Sequence, residues 1–411
     1  MMFRMPGATA IAAVLVAIAA PAPLAIAQTN PAAVQVSKDI VQPLNEARNA
    51  IVAKDWATAR AKLDVAATKV KTPTDKAQLD RLKLVVAAET KDGPQQVTLI
   101  NSLIASGTLT PDEIKLYKGA LAKAHTDAGD AAGSLAAARA YVDAYGGTGD
   151  DLIRLADQYS KANDHANAAV FANKAILAAR ASGKPPESWY RLLMRTHQQL
   201  KQNAEYYDVL AQSLADYPSE QNWKLYIARA QNEPKFSKAT HLDLYRTLMA
   251  AGVKLSPQEK GQAIREAMTS RGLPNEALQL LEPAVASGEL TSAEDKENLA
   301  KAKSRVTEDK AGLAKETAEA MAKGDASYMA KLGEAHMSYG DYAKAIEVLQ
   351  ASLNKGIADP EEAAFARLHL GIAQFHAGQA DAARATWAEV KSDNGATSLA
   401  QSWTLISKLK A

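Results

Sequence analysis

The chain has 411 residues, is 47% hydrophobic, and carries 48 Lys and Arg against 46 Asp and Glu, a net charge of +2. That length supports a large core, and the balanced, scattered charge excludes the dense basic footprint of a nucleic-acid binder. With no cysteine in the chain, disulfides, thiolate metal sites and cysteine nucleophiles are excluded as well.

At the N-terminus, Arg4 precedes an apolar run, Ala8–Ala20, and Ala25-Ile26-Ala27 offers a small-residue cleavage site. The run is too short to span a bilayer, so residues 1–27 read as a signal peptide and 28–36 as a flexible mature N-terminus. The expected address is the periplasm of a Gram-negative bacterium, where a cysteine-free chain is at home. Downstream, nothing approaches eighteen consecutive apolar residues, so no membrane span is expected after cleavage.

From residue 37 onward the pattern is helical. Ala, Leu, Lys, Glu and Gln dominate, and alternating runs of β-branched residues are missing. Helix starts recur. Thr110-Pro111-Asp112-Glu113, Ser256-Pro257-Gln258-Glu259 and Asp359-Pro360-Glu361-Glu362 each place a capping oxygen before Pro and a Glu three residues after the cap. Thr291-Ser292-Ala293-Glu294 reads as the same box without Pro. Weaker starts lie near Ser37, Thr72, Asp150, Pro186, Ser219 and Asp325. These starts recur every 33 to 40 residues along the chain, the length of two helices and two short turns. A lone pair of helices cannot bury its apolar face, so such units stack as a solenoid.

Near the C-terminus the unit is written most clearly. Leu332-Gly333, Gly340-Asp341-Tyr342, Ala345 and Leu349 are followed by Leu370-Gly371, Gly378, Ala383 and Trp387. A mid-helix Gly costs about 1 kcal/mol relative to Ala, which points to close helix approach at Gly333 and Gly371. Gly340 and Gly378 are placed to end the first helix of each pair in the left-handed region. Ala345 and Ala383 then let the second helix pack close, with Leu349 and Trp387, on the same face one turn later, filling the space between hairpins.

These residues resemble the tetratricopeptide repeat. Degenerate matches include Leu155-Ala156 with Tyr159, Ala168 and Ala175; Leu121-Ala122 with Gly129-Asp130; Asp55-Trp56 with Ala59 and Leu63; and Gly272 with Ala277 and Leu281. The segment 291–324 is highly charged and matches most weakly. The resemblance implies an all-α solenoid of about ten helical hairpins over 37–395, closed by a capping helix at 396–411. On that helix Trp403, Leu405, Ile406 and Leu409 are expected to cover the last hairpin. The order Tyr217-Pro218, Asn222-Trp223, Gly272-Leu273-Pro274-Asn275-Glu276-Ala277 and Gln401-Ser402-Trp403 also resembles periplasmic tetratricopeptide proteins that work beside the TonB–ExbB–ExbD energy-transduction machinery.

Chemistry finds little support in the sequence. His125, His197 and His336 hold one repeat slot, which Tyr159 takes in its own repeat, and read as packing residues. His369 and His376 lie seven apart without a carboxylate between them, no metal-binding helix pattern. Pro186-Glu187-Ser188-Trp189 is similar to the catalytic Glu-Ser of helical-solenoid lytic transglycosylases. The Gly-Leu-Met-Gln stretch of those enzymes is missing, however, and an acid at a helix start has an ordinary electrostatic reason. No enzyme activity, cofactor or metal is therefore expected.

What remains is binding. In tetratricopeptide arrays the first helix of each pair lines a groove for peptides. On the helix from Pro186, Arg191, Arg195 and Gln198 share a face, with Lys224 and Gln231 in the next hairpin and Asp157 in the previous one. That floor suits a carboxylate-bearing protein or peptide of the cell envelope, although such charges also simply solvate surfaces. The expected role is an interaction scaffold, which the resemblance links to a TonB system, with an assembly factor for outer-membrane or wall components as the alternative.

Overall fold

A computed structural model describes residues 36–410. The expected signal peptide and nearly all of the expected mature N-terminal segment lie outside the described residues. The rest is all-α: twenty α-helices and no strand among the described residues, each helix packed chiefly on its sequence neighbours. The chain divides into two compact units between Tyr206 and Tyr207.

In the first unit the helices are α1 Lys38–Val52, α2 Trp56–Ala67, α3 Pro73–Glu89, α4 Gly93–Ala105, α5 Pro111–Asp127, α6 Ala131–Tyr145, α7 Gly149–Lys161, α8 His165–Arg180 and α9 Glu187–Gln199; the division itself falls within α10 Asn203–Asp216. One turn geometry joins the helices within each pair. Lys54, Lys91, Gly129, Asn163 and Lys201 take positive φ. The next residue's N–H then reaches back five residues: Asp55 to Ala50, Asp92 to Ala87, Asp130 to His125, Asp164 to Tyr159 and Gln202 to His197, at 2.8–2.9 Å. This left-handed cap satisfies carbonyls that the helix end would orphan. The Asp then caps the second helix, accepting from Thr58, Gln95, Gly133 and Asn167 backbone N–H groups in turn.

This turn also explains three histidines. His125 Nδ1 meets Asp130 at 2.8 Å, His197 Nδ1 meets Gln202 at 2.8 Å, and in the second unit His336 Nδ1 meets Asp341 at 3.3 Å. Each ring braces the residue that opens the following helix. The capping boxes at Thr110 and Ser256 form as expected. Asp359 caps the Glu361 N–H instead of forming a full box. The box expected at Thr291 and Glu294 stands one residue later, at Ser292 and Asp295. The start expected near Asp150 is capped by Thr148.

The second unit holds α11 Glu220–Ala228, a 3₁₀ turn Arg229–Asn232, α12 Lys238–Ala250, α13 Pro257–Arg265, a π-helix Glu266–Arg271, α14 Pro274–Ala286, α15 Ala293–Lys323, α16 Ala326–Ser338, α17 Tyr342–Lys355, α18 Pro360–His376, α19 Ala380–Ala388 and α20 Ala396–Lys410. Its last two pairs match the reading of the sequence closely. A Cβ on Gly333 would lie 2.5 Å from Leu349 Cγ, and one on Gly371 would lie 2.2 Å from Trp387 Nε1. Gly340 and Gly378 have φ of 76° and 79°. Leu332, Leu370, Ala345, Ala383, Leu349 and Trp387 are all buried, and the Trp387 indole donates to the Leu368 carbonyl at 3.2 Å. Tyr342, half-buried, stacks on His376 with ring centroids 5.0 Å apart.

Two features depart from a regular array of about ten pairs. Residues 293–323 form a single helix of 31 residues that buries little beyond Ala302, Leu313, Thr317 and Ala320. Its apolar stripe is too thin to hold two helices together, and Lys–Glu pairs one turn apart, such as Glu297–Lys301, sustain one long helix instead. The second departure is α20. It packs on α18 and α19, with Trp403 against Phe375 and Trp387 and Ile406 buried as expected, but Leu409 stays exposed and Leu405 only half-buried. The same helix also packs on α11, the 3₁₀ turn and α12, more than 140 residues earlier in the chain. This unit therefore closes on itself, and contacts are not confined to neighbouring pairs.

Candidate functional site

The basic floor expected from the sequence is divided between the two units. In the first, Arg191, Arg195 and Gln198 are exposed on α9. Arg191 lies 3.2 Å from Glu187, the residue with the enzyme-like context, which simply opens this helix. Arg195 makes no ion pair among the described residues. In the second unit, half-buried Lys224 pairs with Glu220 at 3.3 Å and Gln231 is exposed in the 3₁₀ turn. Asp157 pairs with Lys161 at 2.6 Å. Most of the floor's charge is thus answered within its own helix, and Arg195 is the expected cation left open.

A different cluster, not foreseen from the sequence, lies inside the second unit. Arg246 on α12 is buried at its centre. Its Nε donates to Glu276 at 2.6 Å and Nη2 bonds the other Glu276 oxygen. Nη1 donates to Asp243 Oδ1 and Glu334 Oε1, both at 2.7 Å. Arg271 adds bonds from Nη2 to Glu334 at 2.6 Å and Asp243 at 3.0 Å, and from Nη1 to the Ala239 carbonyl at 3.0 Å. His369 Nε2 lies 2.8 Å from Asp243 Oδ1. Six ionisable side chains from α12, the π-helix, α14, α16 and α18 therefore share one buried network.

Local structure explains how they meet. Arg271 ends the π-helix, whose widened turn shifts the register by a residue before Gly272 breaks it in the left-handed region. Asp243 and Arg246 are i, i+3 neighbours on one face of α12. Burial pushes the Asp243 carboxyl upward, but the charges of His369, Arg271 and Arg246 override that push and hold it far below the usual range. Glu334 behaves likewise: burial raises it, and Arg271, His369 and Arg246 bring it well down. Burial disfavours the Arg246 cation, yet Glu276, Glu334 and Asp243 keep it charged. Asp243, Glu334 and Arg246 are therefore held in their charged forms and paired with one another.

Asp243, Glu334 and His369 are also ligand types, and their donor atoms lie within 4.8 Å of one another. The residues present do not suit a metal. Arg246 Nη1 touches both carboxylates and sits 3.4 Å from His369 Nε2, so a guanidinium already stands where a cation would. Arg246 and the partly buried Arg271 would repel an incoming ion, and displacing either would strand its partners.

A signal for this cluster does exist in the sequence. Glu334 sits within Leu332-Gly333-Glu334-Ala335, His369 between Leu368 and Leu370, and Asp243 between Leu242 and Leu244. Charged residues set in helices apolar on all sides call for buried partners. Glu334 also precedes its turn residue Gly340 by six positions, as Arg195 precedes Lys201. One slot thus faces solvent in the first unit and the ionic network in the second. No protein-family model matches this chain, and no curated protein matches it.

Proposed function

We propose that the protein is an interaction scaffold of the tetratricopeptide type acting in the cell envelope, and that it captures acidic segments on the first helices of its N-terminal unit. The observation that carries this reading is the contrast at one repeat slot. Arg195 is exposed beside Gln198 and makes no ion pair among the described residues, while the equivalent Glu334 is consumed by internal ion pairs. An open guanidinium next to an amide suits a carboxylate, which accepts two parallel N–H bonds from Arg. The shared left-handed turn supports the reading too, because it fixes successive first helices in one register. Catalysis is no part of the proposal.

Binding of a Glu-rich peptide with a free C-terminus, titrated against wild type and Arg195→Ala, tests it. The variant should bind on the order of tenfold more weakly, the loss of a charge-assisted hydrogen bond, and fold unchanged. Equal binding by both proteins would remove the basis of the proposal. Crosslinked capture from periplasm would then show whether the partners are TonB-system components or wall-assembly proteins.

A further inference from the structure

We propose that Asn394–Gly395 is a modification site: spontaneous deamidation there, gated by opening of the junction it belongs to, unlatches the C-terminal helix. The dipeptide lies where α20 meets the segment 229–240. Gly395 N–H donates to Glu233 Oε2 at 2.7 Å, and the Asn394 carbonyl accepts from Thr240 Oγ1 at 2.9 Å. Glu233 also accepts from the Ser398 N–H at 3.3 Å and bonds the Ser398 hydroxyl. It therefore sits at the positive end of α20, where a carboxylate is favoured. Lys235 adds ion pairs to Asp393 and Glu361 at 3.2 and 3.1 Å, and Arg229 donates to the Ser398 carbonyl at 3.2 Å.

The junction demands glycine after Asn394. Gly395 has φ of +100°, and a Cβ there would lie 2.9 Å from Phe236 and 3.0 Å from Thr240. Glycine leaves its own nitrogen unshielded, which makes an Asn-Gly bond chemically labile. In the reaction the Gly395 nitrogen attacks Asn394 Cγ, loses its proton to solvent, and expels the side-chain nitrogen as ammonia. Water then opens the succinimide ring to aspartate or isoaspartate. No oxidant or cofactor is needed.

The closed junction opposes this chemistry. Asn394 is 2% exposed. Its Oδ1 accepts from Ser392 Oγ at 2.6 Å and from the Ala396 N–H at 3.1 Å, which fixes the carboxamide against rotation, while Gly395 N–H is bound to Glu233. The Asn394 Nδ2 is buried without a partner, a cost relieved when the junction opens. Once formed, a carboxylate at 394 is buried beside Asp393 and close to Glu233. Like charge then resists reclosure, and isoaspartate lengthens the backbone where α20 must begin.

The test follows conversion at residue 394 by peptide-mapping mass spectrometry on the full chain in mildly alkaline buffer. Wild type is compared with and without urea, and with Glu233→Ala. Gating predicts conversion on the order of tenfold or more faster in urea, because the rate follows the opened population. Glu233→Ala should convert faster than folded wild type. Hydrogen exchange should then show α20 and 229–240 deprotected in the converted fraction alone, with Asn394→Asp matching it. If Asn394→Asp fails to fold, the converted wild-type fraction still supplies the reading. Equal rates in folded and unfolded chains would overturn the proposal. So would slower conversion in Glu233→Ala, which would make Glu233 a base and not a lock, or full protection after conversion.

Discussion

Replacing Arg246 with Met removes the centre of the buried network while keeping most of the side chain's volume. The loss is worked from its partners: a two-pronged bond to Glu276 and single bonds to Asp243 and Glu334. Arg271 and His369 still hold Asp243, and Arg271 still holds Glu334, but Glu276 has no other ion pair among the described residues. Breaking a buried pair from one side costs about 3–5 kcal/mol, a large share of the roughly 5–15 kcal/mol that keeps a domain folded. The pH dependence has a definite sign. Asp243 and Glu334 have depressed folded-state values, so their stabilisation is complete above the ordinary carboxylate range and is lost as pH falls through the folded values. Arg246→Met removes one of the charges that depress Asp243 and Glu334, so the gap from wild type should be widest near neutrality and narrow in acid. Urea unfolding followed by hydrogen exchange should place the loss in the second unit alone, where all six members lie. A loss below about 1 kcal/mol, or a gap that does not change with pH, would refute the network's role as an ionised support.

Gly333→Ala should destabilise by about 1–3 kcal/mol, since the new Cβ meets Leu349 Cγ at 2.5 Å; in thermal melts the double variant with Leu349→Ala should lose less than the sum of the two single losses. Asp75 should confer stability with a low acid limit. Against the upward push of burial, bonds from the Ser37, Lys71 and Thr72 backbones and the Ser37 and Thr72 hydroxyls hold its carboxyl at about 2. Its contribution is complete above the unfolded value and lost only as pH falls toward 2, so Asp75→Asn should narrow the stability difference between pH 7 and strong acid, as read by urea midpoints. Lys91→Gly should stabilise by about 0.5–1 kcal/mol, because Lys91 holds a left-handed φ of 56° that Gly adopts without strain; a lower melting temperature would contradict that assignment.

What was legible in the sequence was local. Capping residues fall within three positions of one another, so Thr110 and Ser256 announced their helices. Gly333 and Gly371 likewise mark close helix approach in the sequence, although the side chains that meet them inside the pair, Leu349 and Trp387, read there only as filler between hairpins. The left-handed turns were legible only where Gly marked them, because Lys54, Lys91 and Lys201 take the same conformation against their propensity. Two kinds of fact were hidden. The π-helix before Gly272 shifts register without a composition signal. Closure of the second unit depends on pairs such as Asp243–His369 and Glu233–Gly395, 126 and 162 residues apart, which no local period encodes. The basic floor was read from helical spacing alone, and spacing could not say that Arg191 and Lys224 would be answered by Glu187 and Glu220.

The division of labour between the units can be measured in one experiment: hydrogen exchange across the full chain, with and without a Glu-rich peptide ending in a free carboxylate. Protection is expected on α9, strongest around Arg195, with the amides of α12, α16 and α18 around the ionic network unchanged. Protection centred on α12, α16 and α18 instead, or none on α9 at saturating peptide, would contradict it.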